Sequence, residues 1–420
     1  MKYVKVNDIS YYDQFYRKLW WSLSNEVHQS FNTINPKEKI INERNTDSFI
    51  DKFICKLKSF PEDISQRENW KESVYALIDE TVNSCKYFKL GVTDTAMRDG
   101  FIDSTKKFIK EAWKFDRTLS YADIGQALRN VWIVNILQKI FSKDIGFTDA
   151  IFGYSMLYPY TDNYLDDGNV TPEEKKEFNG RFHDRLTGTN LNPLNDMESK
   201  VFQMISCIEN VFDRIEFQEV YSSLMLIYEG QALSVLKQQQ NSIPYEEEIL
   251  DISILKGGAS VLADAVLIEG RITEEESRFS FGYGFFLQLS DDLQDVLKDK
   301  KGKHMTVYSQ LAGKYKLDGI VNKTINLLKI ILDMDNCFQC ENVDEIKQLI
   351  YDNCMNMIFT AVIMNKRFFS RDYVKNIKKY LPYRERYIKN IKGKIDKKIS
   401  RLQKEIGKES FETAINFIIE

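Results

Sequence analysis

Apolar positions recur along this chain at the three-and-four spacing of an amphipathic helix, and strict alternation of the kind that makes a strand is scarce. Over residues 1–90 the helical runs are joined by polar stretches such as "NTINPKEK" and "SFPEDISQ", and from about 100 to 410 one helix follows another. Two starts are well specified. In "TPEEKKEF", Thr171 is placed to cap, Pro172 takes the first helical position and Glu174 closes a capping box. In "TEEESRFSF", Thr273 caps and Glu276 reaches back, which predicts a helix from about 274 to 300 that ends in Lys298, Lys300 and Lys301 before Gly302. The pattern predicts an all-α bundle.

One part of that long helix does not read as an ordinary core. "GFFLQLSDDLQDV" sets Asp291, Asp292 and Asp295 among Phe285, Phe286, Leu287 and Leu289, with no basic residue beside them. Gly284, Gln288, Asp291 and Asp295 share one face, with Asp292 alongside. Carboxylates this close in apolar surroundings repel one another and resist desolvation unless a cation joins them. A second acidic cluster stands in "YPYTDNYLDDGN", where Asp162 precedes Asp166 by four and Asp167 follows. Either cluster alone fits a solvated helix face; two in one helical chain fit a shared cation better. Oxygen donors without His or Cys suit Mg²⁺ completed by water and phosphate oxygens, so two helices facing each other with these motifs would hold a diphosphate. A di-iron carboxylate bundle needs Glu-x-x-His pairs, and none of His28, His183 and His304 follows a Glu by three.

Composition narrows the picture further. The chain has 420 residues, 43% apolar and 29% charged, enough for one large domain or two modest ones. The drawn boundary separates an N-terminal helical region, 1–90, from a catalytic domain, 91–420. A net charge of −4 points to neither nucleic acid nor a membrane as the main partner. The start lacks the apolar segment of a signal peptide, no run approaches the roughly 20 apolar residues of a membrane span, and the 6 scattered cysteines suit reduced thiols; a cytoplasmic protein is expected. Cys337-Phe-Gln-Cys340 has no second pair and no nearby His, and reads as incidental thiols rather than zinc ligands.

With the motifs in hand, the chain resembles the class I isoprenoid synthases, and its second half resembles the trans-polyprenyl diphosphate synthases. "EGQALS" (Glu229 to Ser234) is similar to the family's Gly-Gln helix, with Ser234 where an Asp is usual. "LKGGASVL" resembles the lysine segment and puts Lys256 on diphosphate; "GFFLQLSDDLQD" resembles the second aspartate motif; "KKGKHMT" resembles the following Gly-Lys and puts Lys303 on diphosphate. "DNYLDD" is closer to the squalene and phytoene synthase pattern. The elements that hold isopentenyl diphosphate, an N-terminal Gly-Lys-x-x-Arg and an Arg-Arg-Gly after the first motif, have no counterpart; Arg181 and Arg185 are the candidates to substitute.

The resemblance implies a helical bundle around a central cavity, three Mg²⁺ ions bound with the diphosphate by Asp162, Asp166, Asp167, Asp291, Asp292 and Asp295, and a homodimer. It implies ionisation of an allylic isoprenyl diphosphate, with the cation kept dry and faced by aromatic rings. Candidate rings include Tyr158, Tyr160, Phe285 and Phe286, and Gln231 and Gln288 are polar candidates for substrate contact. Late in the chain, Ile388, Ile391, Ile395, Ile399, Leu402 and Ile406 give a basic helix an apolar stripe for packing; Arg386 and Tyr387 are candidates to reach the diphosphate, and peripheral contact with anionic membrane is a further reading. Three functions stay open: a terpene synthase, favoured by the missing isopentenyl elements; an intermolecular prenyltransferase; and a silent partner subunit, against which the intact second motif speaks.

Overall fold

The computed structural model describes residues 3, 5, 9–27, 31–84, 95–237 and 248–419. Among the described residues there are helices and no strands: α1 (Ile9–Ser22), α2 (Pro36–Lys58), α3 (Arg67–Ser84), α4 (Thr95–Phe115), α5 (Tyr121–Ile140), α6 (Asp149–Asp166), α7 (Pro172–Leu186), α8 (Asp196–Val211), α9 (Gln218–Lys237), α10 (Ile249–Glu269), α11 (Glu274–Gly302), α12 (Asp318–Leu332), α13 (Val343–Met364), α14 (Arg371–Tyr380), α15 (Glu385–Ile406) and α16 (Lys408–Ile419). The protein is all-α.

The chain divides into two compact units, one made of 1–27 with 99–344 and the other of 28–98 with 345–420. This is not the boundary near residue 90 drawn from the sequence. Helix α1 belongs with the aspartate motifs because its aromatic face, Tyr12, Tyr16 and Trp20, packs on Phe281 and Phe285 of α11. Local pattern marks a face as apolar but not which distant face will cover it.

In the first unit α10 is the central element. It is apolar all round, as a helix surrounded by others must be, and it packs against α1, α5, α6, α9 and α11. Helix α11 lies along it and continues onto α12. Both predicted capping boxes form: the Thr171 and Thr273 side chains accept from the backbone N–H of Glu174 and Glu276. The end of α11 falls later than expected. Gly302 is still helical, and it is Lys303 that adopts the left-handed conformation, φ 57°.

The second unit has its own small core of Leu57, Trp70, Val74, Leu402, Phe411, Ala414 and Ile418. Helix α15 packs on α2 and α16, and Ile399 and Ile406 of its apolar stripe lie against that core. Among the described residues no helix is long and apolar enough to cross a membrane.

Candidate active site

Three glycines bring α9, α10 and α11 together backbone to backbone. A Cβ on Gly257 would stand 2.5 Å from the carbonyl oxygen of Gly284, and one on Gly284 would stand 2.1 Å from that of Gly257. On the other side of α10, a Cβ on Gly230 would come within 3.0 Å of Lys256 Cα. Only glycine allows such crossings. They set Lys256 beside the acidic turn of α11, where its charge acts on Asp291 and Asp292.

The acids of that turn are not equivalent. Asp292 is 5% exposed and accepts from Gln288 Nε2 at 2.8 Å and Ser253 Oγ at 3.3 Å. Its burial pushes its pKa up to about 7, the Asp291 charge adds to this, and Lys256 opposes it. Asp291 keeps contact with solvent but stands surrounded by protein, as a group on the wall of a cleft does. Desolvation raises its pKa first, then the charges of Asp295 and Asp162, against Lys256 and Arg129. Asp295 is half exposed and pairs loosely with Lys298 at 3.4 Å. Asp299, one turn further on and not singled out from the sequence, is pushed up to about 7 by burial and by Asp292, Asp295 and Asp291.

Helix α6 brings the other motif to the same place through Tyr158. Its phenol hydrogen-bonds to Asp162 and is raised well above its ordinary pKa, chiefly by the Asp162 charge, then by burial and by Asp291, with Arg129 opposing. A tyrosine 36% exposed that feels both carboxylates places Asp162 of α6 near Asp291 of α11. Arg129, on α5, is a functional candidate the sequence motifs did not reveal. The side chain of Asp166 lies outside the described residues. Asp167 falls past the helix end, exposed, its carboxylate accepting from the backbone and side-chain N–H of Asn169 at 2.8 and 2.9 Å.

Tyr158 also borders a cavity of about 50 Å³ whose wall includes Asn130, Tyr154, Phe182, Tyr228 and Gln231. Asp264, 0% exposed, accepts from Asn130 Nδ2 at 2.7 Å, and among the described residues its Oδ2 has no hydrogen-bond partner. Burial pushes its pKa well above the ordinary carboxylate value, with the hydrogen bond from Asn130 opposing. Nothing in the motif of α10 pointed to this residue.

Other expectations fare differently. Phe285 and Phe286 are core rather than cavity wall, packed on Tyr16, Trp20 and Tyr283. Tyr160 donates to Asp116 at 2.5 Å beside Lys200, a structural role. Arg181 is held by buried Glu198 at 2.7 Å and Arg185 by Glu209 at 2.7 Å, so neither guanidinium is set out for a second diphosphate. Lys303 is exposed at the end of α11. Arg386 and Tyr387 belong to the second unit, where Tyr387 donates to Asp47 at 3.0 Å and stacks on Tyr383.

Among the described residues no three carboxylate, His or Cys groups form a ready cage for a metal. Mg²⁺ is usually bound by one or two carboxylates together with water and substrate phosphates rather than by an all-protein cage. Mutually repelling, desolvated acids also favour a cation between them. The donor set therefore fits Mg²⁺ bound jointly with a diphosphate.

No protein-family model matches the chain, and no curated protein does. Two solved structures show a distant likeness. One, assigned as a farnesyl-diphosphate synthase from Marinomonas sp. MED121, has 15% identity and a TM-score of 0.35 over 62% of this chain and 98% of its own. The other, a geranyltransferase from Legionella pneumophila, has 13% identity and a TM-score of 0.30 over 77% of this chain and 99% of its own. The functional reading rests on the residues themselves.

Proposed function

We propose that this protein is a class I isoprenoid synthase that ionises an allylic isoprenyl diphosphate with Mg²⁺ and lets the cation cyclise or be quenched in the cavity. The observation that carries this is the Tyr158 phenol, hydrogen-bonded to Asp162 of one motif and under the charge of Asp291 of the other.

In this mechanism Asp162, Asp291 and Asp295 would hold the metal, with Asp166 as a further ligand proposed from the motif alone. Mg²⁺ bound there would neutralise charge on the departing diphosphate. Lys256 and Lys303 pair with the diphosphate oxygens and strengthen that binding as charge develops on the leaving group. The allylic C–O bond breaks, its electron pair leaves with the diphosphate, and a carbocation remains. The faces of Tyr154, Tyr158, Phe182 and Tyr228 stabilise it by about 2 kcal/mol each when desolvated, and the apolar wall keeps bulk water out. The reaction closes by loss of a proton or addition of water. The internal pairing of Arg181 and Arg185 favours a single allylic substrate over transfer to a second diphosphate.

Incubation with geranyl, farnesyl and geranylgeranyl diphosphates, each with and without isopentenyl diphosphate, tests this. A hydrocarbon or alcohol from one allylic substrate alone is expected. Strict dependence on isopentenyl diphosphate would replace the reading by chain elongation, and inactivity without Mg²⁺-dependent binding would replace it by a silent subunit.

A further inference from the structure

The net charge of −4 hides an uneven distribution. Residues 366–408 carry 16 Lys and Arg against 4 Asp and Glu, a net +12, so the rest of the chain carries −16. All of that basic stretch belongs to the second unit.

Part of its charge is neutralised inside the unit. Arg384 is bound by Glu43 at 2.5 Å, Lys394 by Asp47 at 3.4 Å and Lys398 by Asp51. Glu385 takes three cations at once, Lys366, Lys378 and Lys389, at 2.7, 2.6 and 3.0 Å. Hydrogen bonds from Lys366 and Lys378 push its pKa down to about 2. This single anion brings a lysine of α14 and one of α15 together, and three cations on it leave the junction of the two helices positive.

The remaining cations face solvent. Arg371, Lys375 and Lys379, four apart on α14, are exposed, while Val374 and Ile377 of the same helix are buried. On α15, Arg386, Lys397, Arg401 and Lys404 are exposed on the face opposite the apolar stripe of Ile395, Ile399 and Leu402. Among the described residues none of these seven has an ion partner. Like charges gathered on two joined helices repel one another, and an extended anionic surface relieves that repulsion.

The composition of the face favours lipid over nucleic acid. No exposed aromatic ring stands on α14 or α15 for a base to stack on. At its border Met364, 52% exposed, ends α13 two residues before Lys366, an apolar side chain able to enter the headgroup layer. Resting on the isoprenoid synthase reading for the choice of surface, we propose that the basic faces of α14 and α15 dock the protein on an anionic lipid bilayer, into which an apolar product would pass.

The test is co-sedimentation of the full chain with phosphatidylcholine vesicles, with and without phosphatidylglycerol, at low and high salt. Binding is expected only with phosphatidylglycerol and should weaken as salt rises. A Lys or Arg near such a surface adds roughly fivefold to the partition coefficient. The quadruple variant Lys375→Gln, Lys379→Gln, Lys397→Gln, Lys404→Gln should therefore bind about a hundredfold more weakly or worse. A control with the same net charge, Lys107→Gln, Lys110→Gln, Lys114→Gln, Lys176→Gln, alters the first unit and should bind like the wild type. No binding by the wild type at low salt, or an equal loss in the control, overturns the docking surface. Tighter binding of duplex DNA than of these vesicles at the same salt replaces the lipid by nucleic acid. Because the measurement needs no substrate, vesicle binding by a chain that turns over no isoprenyl diphosphate upholds the surface and overturns the enzyme class alone.

Discussion

Gly257 and Gly284 stand face to face where α10 crosses α11, with room for neither to carry a side chain. That contact fixes the register of Lys256 against Asp291 and Asp292. Gly257→Ala or Gly284→Ala forces the helices apart and should cost about 1–3 kcal/mol of stability through overpacking. Diphosphate affinity should fall with it. Chemical denaturation and a diphosphate titration check both; a variant with unchanged stability would mean the crossing is looser than described.

Asp162→Ala and Asp291→Ala remove one acid from each motif without emptying a core position. Each should lower kcat by a factor of about 100 or more, the scale seen when one group stabilising a transition-state charge is lost. Helical circular dichroism should be retained. Because both act on one leaving group, the double variant should lose far less than the product of the single losses.

Metal-free stability should depend on pH with an unusual sign. Folded Asp292 and Asp299 hold their protons up to about pH 7, whereas an unfolded Asp releases its proton near 3.9. Their contribution is complete below about pH 4 and is lost as pH rises through 7. Carboxylates shifted the other way, such as Glu385 at about 2, are already ionised in both states above pH 5 and do not oppose this trend. The melting temperature should therefore fall from pH 5 to pH 8 without metal, and Mg²⁺ should raise it more at pH 8 than at pH 5. A flat profile would contradict the burial of these acids.

Asp264→Asn tests the raised pKa of the buried acid that accepts from Asn130. Asn keeps an oxygen to accept from Asn130 but never ionises. The wild-type Asp is raised in the folded state, so it loses stability relative to Asn as pH climbs above the unfolded value of about 3.9. The variant should match the wild type at pH 4 and melt higher at pH 8. Equal melting curves at pH 8 would mean the carboxylate is ionised in place.

Arg181→Ala leaves Glu198 buried without its cation, which typically costs about 3–5 kcal/mol. On the present reading this is a loss of stability and not of affinity for a second diphosphate. Thermal melts, together with KM for the allylic substrate and any dependence on isopentenyl diphosphate, separate the two.

Much of this protein was legible before the fold was known, and for identifiable reasons. Capping boxes at Thr171 and Thr273 are local, so α7 and α11 started where their residues specified. The helix end was missed by one residue because Lys303, not Gly302, took the left-handed position. The acidic motifs stood out because carboxylates among Phe and Leu conflict with an ordinary core. Arg129, Asp264 and the pairing of α1 with α11 were hidden because each depends on contacts between residues far apart in the chain. Asp264 in particular sits in a run, "VLADAVL", where a single acid carries no spacing to read.

The account stands on two acid-bearing helices acting on one leaving group, and inorganic diphosphate release measures that directly. Farnesyl diphosphate should yield diphosphate with Mg²⁺ and none with chelator. Asp162→Asn and Asp291→Asn should each nearly abolish release while remaining folded. Release that continues in chelator, or that survives either substitution, would contradict it.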